Sequence, residues 1–267
     1  MLIKKAIILA TGTGEQFYPL TKVLPKEVLP LADLPLVDYL VREIKDSDIN
    51  EIVFVLEEGK KMIADYFKKG KEMKEVSLRF CFQQHSKGDG GAILKARNYI
   101  KKNNFAVLSP KHIFEGKSPV LGQLEKIFQT SQQPVIGLKR VSPEKKLFYD
   151  IVRVEKIANK LYKIKEIGLG TKANEPLSDL AIAGRFILTP DVFDYLGKTK
   201  VNKKGEKKLV DALNLMLKNG KVVYGYEFSG EWLECGQMID WLKSNLYLSL
   251  KHPKYGPMLK EWLKKMK

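Results

Sequence analysis

Two glycines and two lysines near the amino terminus are the first residues whose types and spacing could do chemistry. Gly12 and Gly14 follow an apolar run that ends at Leu9, and Lys22 and Lys26 follow in a proline-rich loop. Glycine permits positive φ and leaves room for a ligand to approach the backbone. Backbone N–H groups exposed in such a turn can bind phosphate oxygens, and the lysines would add positive charge. Together these residues predict a phosphate site.

The glycine pair alone is a weak signal. It lacks the third glycine of the dinucleotide fingerprint and the Gly-Lys-Ser/Thr end of a Walker A sequence, so an ordinary strand-to-loop turn explains an isolated pair better. Other candidate chemistries have less support. The histidines lack the spacing of metal ligands, and His112 is most simply an exposed loop histidine. No Gly-x-Ser-x-Gly elbow for a nucleophilic serine is present.

The charge of the chain bears on its partners. The net charge is +16, from 47 Lys and Arg against 31 Asp and Glu, and such an excess permits nucleic-acid binding. Most of the excess is lysine spread along the chain, without the stripe of aromatic and basic residues that stacks bases. We therefore expect a positive field that suits phosphorylated small molecules. A basic nucleic-acid-binding protein is a minor alternative.

Composition also predicts the compartment. No apolar run is long enough to cross a bilayer, and residues 1–5 lead into a strand without a signal-peptide pattern. Cys81 and Cys235 are too few for a disulfide framework, in agreement with a reducing environment. We expect a cytoplasmic protein with no membrane partner.

The elements that must position the candidate residues follow from hydrophobic periodicity. Strands are predicted over 6–9, 51–56, 76–82, 105–108, 134–141, 148–155, 160–167, 180–188 and 222–228. Helices are predicted over 35–45, 60–69 (ended by Gly70), 90–100, 121–130, 191–196, 206–219, 239–250 and 258–266.

The alternation of strands and helices over the first hundred residues predicts an α/β fold with a doubly wound parallel sheet. Ligands of such sheets bind beyond the carboxyl ends of the strands. The loops after Leu9, Phe82 and Leu108 should therefore converge. In the second half, the alternating runs on either side of Ala158-Asn159 predict a hairpin.

A longer pattern begins at Pro19. It reads Pro-x-Thr-Lys-x-x-Pro-Lys-Glu-x-Leu-Pro-Leu up to Leu31, and Pro35-Leu36 follows. This pattern resembles the amino-terminal signature of bacterial UTP–glucose-1-phosphate uridylyltransferases, in the sugar-nucleotidyltransferase family. Further matches run through most of the chain, at Gln83, Lys87–Ala92, Tyr149–Val152, Leu180–Phe186, Glu206–Ala212 and Glu234–Gly236.

The resemblance implies a fold, a reaction and a set of nucleotide-binding residues. The implied fold is the mixed, doubly wound, Rossmann-like sheet of nucleotide-diphospho-sugar transferases. The family reaction converts UTP and glucose 1-phosphate to UDP-glucose and pyrophosphate with Mg²⁺. Gln83 and Gly88 stand where the family reads the uracil edge. The full implied nucleotide-binding set is Ala10, Thr11, Gly12, Gly14, Lys26, Gln83 and Gly88.

The resemblance also implies a sugar side and a division of the chain. Asp150, Glu166 and Gly184 stand at sugar-binding positions. Since no linker or repeat is evident, we expect residues 1–267 to form a single nucleotidyltransferase-like domain. Within it, 1–110 would be the nucleotide-binding half, 111–238 the sugar-phosphate half and 239–267 the carboxyl-terminal helices.

Several departures from the family pattern fall on the charged chemistry. The candidate catalytic residues are Lys26, Gln16 at the family arginine and Lys111 at the family metal aspartate. Glutamine carries no charge, and lysine cannot bind Mg²⁺, which requires oxygen ligands. Glu234 replaces the second metal aspartate with a longer carboxylate, which leaves open whether it binds a metal. Asp150 replaces a sugar-contacting glycine.

These departures favour a uridylyltransferase-like protein with impaired or lost catalysis and retained binding of UTP or UDP-glucose. The alternative is an active sugar nucleotidyltransferase with altered metal use, in which Lys111 supplies the positive charge of the metal. A protein with impaired catalysis could act as a homo-oligomer or by pairing with an active family member.

Overall fold

The computed structural model describes residues 2–69, 76–84, 87–169 and 178–266. The strands within these residues are β1 (Lys5–Ala10), β2 (Pro30–Leu31), β3 (Leu34–Pro35), β4 (Glu51–Glu57), β5 (Ser77–Gln83), β6 (Phe105–Leu108), β7 (His112–Glu115), β8 (Val135–Arg140), β9 (Asp150–Ala158), β10 (Leu161–Leu169), β11 (Leu180–Leu188), β12 (Tyr224–Glu227) and β13 (Glu231–Glu234).

The α-helices of the described residues are α1 (Leu36–Lys45), α2 (Lys61–Lys69), α3 (Gly88–Lys95), α4 (Arg97–Ile100), α5 (Val120–Ser131), α6 (Val192–Lys198), α7 (Leu209–Lys218), α8 (Met238–Lys251) and α9 (Gly256–Lys265). Short 3₁₀ helices lie in the connecting loops, at Glu15–Phe17, Leu20–Lys22, Lys26–Val28, Glu58–Lys60 and Pro143–Phe148.

Nine strands form one mixed sheet in the order β5-β4-β1-β6-β11-β8-β12-β10-β9. β1 pairs in parallel with β4 and β6, and β4 pairs in parallel with β5. β11 joins the opposite edge of β6 in the antiparallel direction, and β9 and β10 form the predicted hairpin. The expected doubly wound mixed α/β sheet is confirmed.

The sheet has an apolar core on each face, and β1 is buried between the two cores from Ala6 to Ala10. Alternate residues point to opposite faces of a strand, so Ile8 and Ala10 enter one core while Ile7 and Leu9 enter the other. Helices α1, α2 and α5 cover the first face, and α3, α6 and α7 cover the second. This packing fixes the carboxyl ends of the parallel strands at one edge of the sheet.

A small two-stranded ribbon lies outside the main sheet and was not predicted from the sequence. β7 and β13 pair in the antiparallel direction, with His112 opposite Glu234 in register. Each strand has four residues, like β6, but begins and ends with a polar residue, so neither is a continuous apolar run. The ribbon links the loop that follows β6 to the segment that contains Glu234.

Two predicted helices begin or break at other positions. The helix expected over 90–100 starts at Gly88 and breaks at Ala96 into α3 and α4. The helix expected over 206–219 starts only at Leu209, because the Asp89 carboxylate accepts the Leu209 amide at 2.8 Å and caps that turn.

Further differences lie at element ends. The strand expected over 148–155 begins at Asp150, since Pro143–Phe148 forms a 3₁₀ helix. The expected helix stop at Gly70 lies outside the described residues. In the described part of the chain, no helix has the length and apolar character needed to cross a bilayer.

Candidate functional site

The turn that follows β1 depends on Gly14. Its backbone φ is +76°, and a Cβ there would lie 3.0 Å from Thr21 Cγ2. Thr21 Oγ1 donates a hydrogen bond of 2.6 Å to the Gly14 carbonyl. A side chain at Gly14 would therefore strain the backbone and displace Thr21. The backbone conformation explains why position 14 is a glycine. Ala10 and Thr11 lie buried at the start of the same turn.

Lys26 lies directly against this turn. A Cβ on Gly12 would be 3.2 Å from Lys26 Nζ, and the lysine side chain is 7% exposed. Burial lowers the pKa of Lys26 to about 8, Glu27 opposes the shift, and the positive charges of Lys111 and Lys60 reinforce it. A negatively charged group at the turn would relieve this concentration of positive charge.

Lys111 approaches Lys26 from the loop after β6, the strand that neighbours β1 on the side away from β4. It follows β6, which pairs with β1 in parallel, and its stem lies 3.8 Å from the position of a Cβ on Gly236. Its charge acts on both Lys26 and Asp150. The predicted convergence of the loops after β1 and β6 is therefore confirmed.

Gln83 ends β5 at the same edge of the sheet. Its side chain is 6% exposed, and Nε2 is the only buried side-chain nitrogen or oxygen of the described residues that has no hydrogen-bond partner. A buried donor without a partner is costly, because it loses its water without replacement. The amide therefore makes Gln83 a candidate ligand contact, which stays a prediction. Neighbouring Gln84 is exposed.

Close packing against the 206–208 segment explains why position 88 is a glycine. Its φ is +74°, and a Cβ would lie 2.3 Å from the Lys207 carbonyl oxygen. Only glycine allows this close approach of the 206–208 segment. The contact neither requires nor excludes the base contact that the resemblance implies, which stays a prediction.

Asp150 lies with other charged side chains near the start of β9. Burial raises its pKa, and Asp89 and Asp211 act in the same direction, while Lys208 and Lys111 oppose the shift. The Asp150 carboxylate therefore lies within electrostatic reach of Lys111, and its implied contact with a sugar stays a prediction.

Glu166 lies elsewhere on the β9–β10 hairpin. It forms an ion pair of 3.2 Å with Arg153, and both side chains are 46% exposed. The structure gives Glu166 a partner within the hairpin, and its implied contact with a sugar stays a prediction. Gln16 lies exposed in the 3₁₀ helix that follows Gly14.

Both carboxylate oxygens of Glu234 are already engaged. Oε1 accepts from Lys145, and Oε2 accepts from the hydroxyl of Tyr149. Burial raises the pKa of Tyr149 above its ordinary value, and Glu234 adds to the shift. The Tyr149 hydroxyl therefore stays protonated and continues to donate.

The two positions at which the resemblance implies metal ligands hold a lysine and a carboxylate that already has hydrogen-bond donors. Lys111 stands at one position, and the Glu234 carboxylate at the other accepts from Lys145 and Tyr149. Among the described residues, no group of three or more His, Cys, Asp or Glu side chains is arranged to hold a metal. Mg²⁺ prefers oxygen ligands, which these positions do not offer freely.

His112 is buried, contrary to the expectation of an exposed loop residue. Trp232 Nε1 donates to His112 Nδ1 at 2.9 Å, so the imidazole proton lies on Nε2. Burial first, then the charges of Arg185, Lys111 and Lys26, hold the pKa of His112 well below its usual range. The ring is therefore neutral at neutral pH.

Gly184, a predicted sugar-binding residue, is also buried. A Cβ there would lie 2.8 Å from His112 Cδ2, and its φ is +69°. Gly184 thus makes room for the imidazole ring.

Arg185 is a further residue that sequence analysis did not assign to the site. It is fully buried, forms a bidentate ion pair with Glu43 and donates to the carbonyls of Ser109, Gly184 and His112 at 3.0–3.2 Å. These bonds hold the loop that carries Lys111. A charged residue inside the apolar run 180–188 was the available signal.

Comparison with known proteins finds similar sequences along nearly the whole chain. A family model described as nucleotidyl transferase matches residues 5–249. UTP–glucose-1-phosphate uridylyltransferase 1 of Staphylococcus saprophyticus is 32% identical over 284 residues, which cover 99% of both chains. The corresponding protein of Staphylococcus haemolyticus is 33% identical over 285 residues, covering 99% of this chain and 98% of its own.

Two solved structures are similar along nearly the whole chain. A UDP-glucose pyrophosphorylase complexed with UDP-glucose has a TM-score of 0.89 and 29% identity, covering 94% of this chain and 100% of its own. A UTP-bound UGPase from Acinetobacter baumannii has a TM-score of 0.91 and 27% identity, covering 100% of both chains.

Proposed function

Because the chain belongs to the nucleotidyl transferase family, we propose that it is a uridylyltransferase-like protein that binds a uridine nucleotide or nucleotide sugar and has impaired or lost uridylyl transfer. The observation that carries the proposal is Gln83 Nε2, a buried donor without a partner at the sheet edge that also carries Lys26. A uracil carbonyl would satisfy this donor.

UTP and UDP-glucose are the candidate ligands. The solved relatives are described as UTP-bound and as complexed with UDP-glucose. Lys26 and the Gly12–Gly14 turn would bind the phosphates, with the cation offsetting their charge. Asp150 would face the sugar and accept hydrogen bonds from its hydroxyl groups.

Loss of transfer is supported by the charges that replace the family metal site. Uridylyl transfer joins two anions, so it depends on cations that align the reacting groups and neutralise them. Mg²⁺ is the cation that the family resemblance implies. Here Lys111 stands at one metal position, and Glu234 is bound by Lys145 and Tyr149 at the other.

An active enzyme with altered metal use is the second candidate function. The charge of Lys111 already acts at Lys26 and Asp150. An ammonium group at this point could offset phosphate charge without a metal. Pyrophosphate release that persists in EDTA and is abolished by Lys111→Met would favour this candidate over loss of activity.

A binding protein without turnover would act through an assembly. We propose either a homo-oligomer or a pairing with an active family member, in the cytoplasm, where the two free cysteines would stay reduced. Apolar side chains on α8 and α9 support an interface, since Ile239, Met258 and Trp262 are each more than half exposed. Light scattering of the protein alone and with an active uridylyltransferase tests both forms.

The experiment for the ligand compares UTP with ATP by titration calorimetry in the wild type and in Gln83→Leu. We expect the wild type to prefer UTP and the variant to lose that preference. Gln84→Leu is the matched control, because it removes an exposed amide one residue away. Equal binding of UTP and ATP by the wild type would remove the uridine assignment.

A further inference from the structure

Two buried lysines beside the glycine turn have opposite hydrogen-bonding states. Lys60, which is 6% exposed, donates to Glu27 Oε1 and Oε2 at 2.9 Å each and to the Gly12 carbonyl at 2.7 Å. An ammonium group has three protons, so Lys60 has none left for a ligand. For Lys26 Nζ, no hydrogen bond is found within residues 2–69, 76–84, 87–169 and 178–266. Of these two lysines, Lys26 is therefore the one whose ammonium protons are available to a ligand.

Lys60 and Glu27 cancel each other's charge inside the protein. Glu27 is fully buried and Lys60 is its counterion. A buried carboxylate is tolerated only when it is paired and hydrogen-bonded, and the bidentate contact meets both needs. Lys26 and Lys111 have no such buried carboxylate partner among the described residues, so their positive charge is available to a ligand at the turn.

The third hydrogen bond of Lys60, to the Gly12 carbonyl, acts on the Gly12–Gly14 turn itself. A carbonyl oxygen carries partial negative charge and would repel an anion bound beside it. By donating to the Gly12 carbonyl, Lys60 both offsets this charge and ties the turn after β1 to the 3₁₀ helix Glu58–Lys60 that follows β4. Through Glu27 it also ties down the helical turn that presents Lys26.

We infer that Lys60 is a positioning residue, which holds the Gly12–Gly14 turn and, through Glu27, Lys26 in the arrangement that binds a phosphate group. The inference rests on the proposed nucleotide-binding function. Lys60 does not contact the ligand in this account. Its effect is on the phosphate end of the ligand, while Gln83 acts on the base end.

The test uses the double variant Lys60→Met/Glu27→Leu. Replacing a buried ion pair by apolar residues of similar size is often neutral for folding, so the protein should remain folded while the Gly12 carbonyl loses its donor. Calorimetric titrations with inorganic pyrophosphate, UTP and uridine separate the two ends of the ligand. We expect affinity for pyrophosphate and UTP to fall by about tenfold or more, and affinity for uridine to stay unchanged.

Two further variants complete the comparison. Lys60→Arg keeps both charge and donors and should restore most of the pyrophosphate affinity. Lys61→Met removes an exposed positive charge one residue along the chain and should leave all three affinities unchanged. If Lys60→Met/Glu27→Leu does not fold, Lys60→Met/Glu27→Gln also removes the donor to the Gly12 carbonyl while it keeps a neutral polar group at position 27, and it is expected to show the same selective loss.

The outcomes distinguish this inference from the proposed function. A folded double variant that binds pyrophosphate and UTP as tightly as the wild type overturns the role of Lys60 and leaves the proposed function standing. Equal losses for uridine and pyrophosphate also overturn it, because they indicate a general structural effect. A wild type that binds neither UTP nor pyrophosphate removes the proposed function and this inference together.

Discussion

The Lys111 carbonyl oxygen accepts a hydrogen bond of 2.7 Å from the Cys235 amide. This bond joins the loop that presents Lys111 to the end of β13, where Glu234 lies. The two positions at which the family resemblance implies metal ligands are therefore close together in the chain's fold. They hold one ammonium group and one carboxylate that already has two donors.

The first prediction concerns this replaced metal site. In Lys111→Asp/Lys145→Met, a carboxylate returns to one position and Glu234 loses its cation at the other. We expect binding of UTP to become Mg²⁺-dependent, with affinity about tenfold higher in Mg²⁺ than in EDTA. Titration calorimetry measures this ratio, and a pyrophosphate assay records any gain of turnover.

The matched control for the metal prediction is Lys117→Asp/Lys126→Met. It makes the same charge change at two exposed lysines outside the cleft. Its UTP affinity should not depend on Mg²⁺ more than that of the wild type. If the Lys111 and Lys145 variant behaved like this control, the assignment of the two metal positions would be wrong.

The second prediction concerns Gln83. Removing a buried donor that has no partner should stabilise the ligand-free protein, so Gln83→Leu is expected to raise the free energy of unfolding by about 1 kcal/mol. The same substitution should weaken UTP binding by about tenfold. Denaturant unfolding and calorimetry measure the two effects. Gln84→Leu should change neither, and a destabilised Gln83→Leu protein would mean that the amide has a structural partner.

The third prediction concerns pH. The pKa of Lys26 is lowered to about 8, mainly by burial, and only the protonated amine attracts phosphate. Affinity for UTP should therefore fall as the pH rises through about 8, where Lys26 loses its charge. Titrations between pH 6.5 and 9.5 measure the inflection.

Two variants assign that inflection to Lys26. In Lys26→Met, binding should be weaker by about tenfold or more and should not change through pH 8. Lys126→Met removes an exposed charge on α5 and should keep the wild-type profile. An inflection that persisted in Lys26→Met would belong to another group.

The fourth prediction concerns Arg185. Arg185→Met leaves Glu43 without its counterion and removes the Arg185 hydrogen bonds to the Ser109, Gly184 and His112 carbonyls, so we expect a loss of about 3–5 kcal/mol in the free energy of unfolding. Arg97→Met is the control, since Arg97 pairs with Asp194 at the surface and should cost about 1 kcal/mol or less. Similar costs for both variants would contradict the role assigned to Arg185.

The main sheet could be predicted because each of its central strands is recognisable from its own residues. β1, β4 and β6 are short apolar runs that are buried on both faces, and their alternation with helices implies parallel pairing. The β7–β13 ribbon could not be predicted, because it depends on pairing between segments more than a hundred residues apart.

Within the site, the glycine turn and Lys26 were predicted, whereas their supports were not. The sequence predicts Lys60 as the first residue of the helix 60–69, and nothing local indicates that it bonds to Gly12, 48 positions away. Burial of His112 likewise depends on Trp232, which lies 120 positions further along. Long-range hydrogen bonds of this kind leave no periodic pattern in the sequence.

Other expectations stay predictions. These are the single domain over 1–267, although the main sheet draws strands from both halves of the chain, the cytoplasmic location, the oligomer, and the ligand or metal contacts of every candidate site residue.

The most direct test of the central claim is a calorimetric titration of the wild type with UTP, in EDTA and in Mg²⁺, followed by a pyrophosphate-release assay on the same sample with glucose 1-phosphate. We predict that UTP binds in EDTA, that Mg²⁺ does not tighten binding, and that pyrophosphate release stays at background. Binding that requires Mg²⁺ together with sustained pyrophosphate release would contradict the account, and so would the absence of binding in both buffers.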